Sequence, residues 1–65
     1  MFIKVGETFI NADNILFCAR GVNGDVTVVL PGVKLDLNLV DGAEFVKAIA
    51  GIGNGRLGQL FAVPS

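Results

Sequence analysis

The chain has 65 residues, 52% of them hydrophobic and 17% charged, with nine glycines, a net charge of −1 and no His, Trp or Tyr. That length holds one small domain, and so apolar a composition excludes a disordered acidic or basic tail, which needs low hydrophobicity and high charge. Cys18 is the single cysteine, so no disulfide can close within the chain, and without His a structural zinc is not expected.

Phe2–Val5 and Thr8–Ile10 read as short strands around a Gly6-Glu7 turn, which makes a hairpin. Asn11-Ala12-Asp13-Asn14 is turn chemistry, because Asn and Asp side chains bond backbone amides two residues on. Ile15–Arg20 reads as a strand with Ile15, Phe17 and Ala19 on one face and Leu16 and Cys18 on the other. Being apolar on both faces, it suits the centre of a sheet or a subunit interface. Asn23-Gly24 is the favoured pair for a type I′ hairpin turn, and Val26–Leu30 follows as a β-branched strand. Pro31-Gly32 signals a type II turn. Val33–Leu39 alternates strictly, with Val33, Leu35, Leu37 and Leu39 on one face and Lys34, Asp36 and Asn38 on the other.

The period then changes. Asp41 reads as an N-cap with Glu44 three residues on, a capping-box variant. Phe45, Ile49 and Ile52, widened by Val46 and Ala50, form one face of a helix of about three turns that Gly51 and Gly53 end. Residues 54–65 read as a Gly-rich apolar tail with two alternatives: a last strand or coil packed on its own subunit, or an arm docked on a neighbouring one. The expected fold is therefore mainly β with one C-terminal helix, a small α+β domain over residues 1–53. It has an antiparallel sheet or half-barrel of about five strands and a helix on one face.

Motifs that carry chemistry are thin. Gly53, Gly55 and Gly58 match G-x-G-x-x-G, but the match follows a helix and has no acid downstream for a ribose. Asn11, Asp13 and Asn14 are not a calcium loop, since the position that needs a bidentate Glu is Val22. Cys18 has no His to activate it, and the carboxylates Glu7, Asp13, Asp25, Asp36, Asp41 and Glu44 fall at turns, a cap or a wet strand face. No catalytic residue, cofactor or metal is expected.

A domain of this size buries only about 60% of its unfolded surface and usually needs a staple or a partner. With disulfide and zinc set aside, self-association is the expected route, and apolar surplus of this kind marks interaction sites. The expected interface is Leu35, Leu37, Leu39, Leu60, Phe61 and Val63. No apolar run approaches the ~18 residues of a membrane span. The N-terminal residues lack a signal-peptide pattern, and a lone thiol suits a reducing interior. The expectation is a cytoplasmic protein with no membrane partner.

Ile10-Asn11-Ala12-Asp13 with Ile15 and Phe17, then Val26-Thr27-Val28, Gly32 with Lys34, and Glu44-Phe45-Val46 resemble the FlbD/SwrD-type small flagellar proteins over about residues 1–50. The chain departs from them in its lower charge and its Gly-rich apolar tail. This resemblance implies a non-enzymatic, protein-binding role in flagellar regulation or motor function. A second resemblance is to the carbon storage regulator family of dimeric RNA-binding repressors. It rests on Val5-Gly6-Glu7-Thr8, on Gly21-Val22-Asn23-Gly24 thirteen residues after Thr8, and on five strands followed by a helix. Where that family places arginines on the first strand and before the helix, this chain has Lys4 and Asp41-Gly42. The second resemblance implies the shape, and as an alternative function an RNA- or DNA-binding regulator using Lys4, Arg20 and Lys34. The basic residues form no run along the chain.

Overall fold

The computed structural model describes residues 1–61, with backbone alone at Asn54, Arg56 and Leu57. Strands β1 (Phe2–Val5) and β2 (Thr8–Asn11) lead through a 3-10 turn, Ala12–Asn14, to β3 (Phe17–Arg20), β4 (Val26–Leu30) and β5 (Val33–Leu37). Helices α1 (Leu39–Ile52) and α2 (Asn54–Phe61) follow. The strands make two antiparallel sheets, β1-β2 and β3-β4-β5, and α1 packs against β1 of the first and against β4 and β5 of the second. The expected small α+β architecture of five antiparallel strands and a packed helix is therefore the observed one.

Turn chemistry sets both registers. Gly6-Glu7 closes a two-residue loop between Val5 and Thr8, which pairs Ile3 with Ile10 inside and Lys4 with Phe9 outside. Pro31-Gly32 closes another, with the positive φ at Gly32 that a type II turn requires. The Gly21–Asp25 connection differs from the type I′ expectation. Among the described residues no non-Gly residue has a positive φ, so Asn23 cannot fill its place in that turn. Gly21 N–H instead donates to Asp25 O at 2.9 Å and Gly24 N–H to Gly21 O at 3.2 Å, with Gly24 at φ 86°. Val22, Asn23 and Gly24 thus form a three-residue loop closed by a left-handed glycine.

The β3 segment also differs. Asn11 caps the 3-10 turn by accepting from Asp13 N–H at 3.1 Å, and this holds Ile15 in the core before the strand begins at Phe17. Cys18 then points inward, while Leu16 and Phe17 are exposed, so the strand is buried on one face and not both.

Helix α1 starts three residues earlier than the Asp41 cap implies. Asn38 is the cap: its Oδ1 accepts from Asp41 N–H at 2.8 Å and its carbonyl accepts from Gly42 N–H at 2.7 Å. Leu39 is consequently the first helical residue rather than the end of the strand. The inward stripe is Gly42, Phe45 and Ile49, and Ile52 falls at its margin, 40% exposed, beside Met1 and Ala12. Asn38→Ala should cost about 1 kcal/mol, a drop of roughly 4–8 °C in a thermal melt followed by circular dichroism.

Residues 54–61 form a helix rather than the strand, coil or arm expected of a Gly-rich tail. An eight-residue helix does not stand alone in water. This one is held by burying Leu60 and packing along β3 and α1 of its own chain. The core gathers Ile3, Val5, Ile10, Ile15, Cys18, Val26, Val28, Leu37, Phe45, Ile49 and Leu60, and no polar side chain is buried among the described residues.

Candidate interaction surface

The two-residue turn at Gly6-Glu7 gives the β1-β2 hairpin an inner row, Ile3, Val5 and Ile10, and an outer row, Phe2, Lys4, Phe9 and Asn11. Phe2 is 68% and Phe9 67% exposed. Lys4 Nζ lies 5.8 Å from the centroid of the Phe9 ring, within reach of a cation–π contact.

Beside this row runs a groove of about 360 Å³ between β2 and the β4-β5 hairpin, lined by Phe9, Ile10, Leu30, Pro31, Val33 and Leu35 among others. It marks the place where the two sheets do not join: β2 pairs only with β1, and β5 only with β4. Val33, 51% exposed, stands on the β5 rim. The outer face of the three-stranded sheet carries the rows Phe17, Val29, Lys34 and Ala19, Thr27, Asp36. Thr27 Oγ1 donates to Asp36 Oδ1 at 3.1 Å. A second groove lies between the Val22-Asn23-Gly24 loop and α1, with Val22, Val26, Leu39 and Val46 in its lining.

The residues expected to make the interface are not brought onto one surface. Leu37 (8% exposed) and Leu60 (2%) sit in the chain's own core. Leu35 is half-buried in the first groove, and Leu39, 61% exposed, lines the second. Phe61 is half-buried with its ring centroid 5.0 Å from the Arg20 guanidinium, and Val63 lies outside the described residues. The basic residues of the nucleic-acid alternative are also apart. Lys4 is on the hairpin's outer row. Arg20 pairs with core Val26 whereas Lys34 pairs with Val29, which places Arg20 and Lys34 on opposite faces of one sheet. Phe2, Phe9 and Val33 are among the exposed apolar residues that the expected interface omits, as are Leu16, Phe17, Val22 and Val40. The signal for Phe9 was present in the turn length, because a two-residue loop after Val5 forces it opposite Lys4.

Among the described residues no group of three His, Cys, Asp or Glu side chains could hold a metal ion, and no helix is long and apolar enough to cross a membrane. Comparisons of the chain with protein-family models, with curated proteins and with solved structures find no match.

Proposed function

We propose that this protein is a small, non-enzymatic association module that works by binding protein surfaces, copies of itself first. One observation carries the reading. The interior is filled with apolar side chains and, among the described residues, buries no polar one, yet Phe9 and Val33 remain exposed along a groove where the two sheets stay unjoined, with Phe2 exposed on the same outer row of the hairpin as Phe9. Apolar surface of that kind on a small domain is characteristic of interaction sites. The flagellar setting rests on the resemblance of residues 1–50 and says where a partner other than the chain itself is to be sought.

The test is native mass by size exclusion with light scattering over a concentration series, with absorbance followed at 260 nm. The chain has no Trp or Tyr, so bound nucleic acid would stand out. The expected result is a multiple of the 6.8 kDa chain mass that rises with concentration and carries no 260 nm signal. Phe9→Ser should weaken the assembly about tenfold or more, the worth of burying one aromatic side chain, while leaving the melting temperature unchanged at dilutions where the unaltered chain is a single copy. Single-chain mass at every concentration contradicts the reading. A mass with strong 260 nm absorbance that salt removes supports the nucleic-acid alternative instead.

A further inference from the structure

Among the described residues no strand pairs with the outer edge of β5, and that strand is exposed at Val33, Lys34 and Asp36. Open edges invite pairing, and proteins commonly blunt them with charge. Blunting works when the charges repel a second copy, and these do not. Lys34 and Asp36 stand two residues apart on the same face with Leu35 between them on the other. Antiparallel pairing of β5 with a second β5 centred on Leu35 sets Lys34 opposite the partner's Asp36, and Asp36 opposite the partner's Lys34. Centring on Lys34 or on Asp36 instead puts like charges face to face, which is destabilising. Centring between two residues throws the apolar row onto the wrong face. One register alone satisfies both the charge and the pleat. It also extends the apolar row Val33, Leu35, Leu37 across the junction, beside the groove lined by Phe9 and Ile10.

We propose that two copies of this chain associate through β5, antiparallel about a two-fold axis at Leu35. The result is one six-stranded sheet in the order β3-β4-β5-β5-β4-β3. An isologous contact of this kind closes on itself, so the product is a dimer and not a filament. The proposal rests on the association reading above and names its partner.

The register makes a specific test possible in full-length protein by sedimentation velocity. Lys34→Asp gives a chain with two acids on the edge, and Asp36→Lys a chain with two bases. Each alone should dimerise at least tenfold more weakly than the unaltered chain, since both cross-strand ion pairs become repulsions. An equimolar mixture of the two variants should recover the dimer as a heterodimer, and the double variant Lys34→Asp/Asp36→Lys should recover it as a homodimer. Lys34 is exposed, so Lys34→Asp leaves the fold intact and carries the test even if losing the Thr27 hydrogen bond unfolds Asp36→Lys. In that case Asp36→Asn replaces Asp36→Lys in the mixture and should recover part of the dimer. Dimers of unchanged strength in the single variants overturn the β5 contact and leave association through another surface standing. Weakened single variants whose mixture does not recover overturn the register. Single-chain mass for the unaltered protein at all concentrations removes both this proposal and the reading beneath it.

Discussion

Phe45→Ala should abolish the cooperative folding transition at 25 °C. Phe45 is fully buried on α1, the helix that packs against both sheets. No strand of one sheet pairs with a strand of the other, so side chains of that helix bind the two halves together. Truncating a buried Phe costs about 3–5 kcal/mol, and a core of this size seldom supplies more than about 3–5 kcal/mol in all. The two quantities are equal within their precision, which is why loss of folding and not a lowered midpoint is expected. Urea titration followed by circular dichroism reads it directly. Val40→Ala, at an exposed position of α1, is the control and should stay within about 0.5 kcal/mol of the unaltered chain. Equal effects of the two substitutions would contradict the assignment of Phe45 to the core.

Gly42→Ala should destabilise the protein, reversing the usual sign for glycine in a helix interior. Ala normally gains about 1 kcal/mol over Gly there. At Gly42 an added methyl would lie 2.9 Å from Val26 Cγ2 and 3.3 Å from Val26 Cβ, closer than packed carbons tolerate. Helix α1 would have to back away from β4, and overpacking of that kind costs typically 1–3 kcal/mol. Gly51, in the same helix, meets no other atom where a Cβ would be added, so Gly51→Ala should stabilise by up to about 1 kcal/mol. Thermal melts of the two variants should therefore move in opposite directions from the unaltered chain. Movement in the same direction would mean that α1 does not approach β4 at Gly42.

Gly42 also explains where sequence reading succeeded and where it stopped. The strands were legible because their signals are local: alternation in Val33–Leu37, β-branching in Val26–Leu30, and two-residue turns at Gly6-Glu7 and Pro31-Gly32. The helix was legible by its period, and Phe45 and Ile49 are indeed its buried face. Its start was not, since Asn38 and Asp41 are both capable caps. The choice is settled by the close fit of Gly42 on Val26, a contact between residues sixteen apart in the chain.

Helix α2 failed for the same kind of reason. Gly55 and Gly58 each cost a helix about 1 kcal/mol, and among the described residues Leu60, buried against the rest of the chain, and half-buried Phe61 make up the difference. The interface expectation took Leu37 and Leu60 as surface because composition alone says that apolar residues are in surplus, not which ones the two sheets enclose. By contrast the Lys34-Leu35-Asp36 pattern was always readable as a half-wet strand. Its self-complementarity acquires meaning only once β5 is seen to be an open edge.

Residue-resolved amide exchange by NMR, repeated across a concentration series, examines that edge without altering the chain. If two copies meet through β5, amides within residues 33–37 that do not pair with β4 gain protection as concentration rises. Those of the exposed Val22-Asn23-Gly24 loop exchange at the same rate throughout. Exchange along β5 that is fast and independent of concentration, in a sample whose mass nevertheless grows, would contradict the β5 contact.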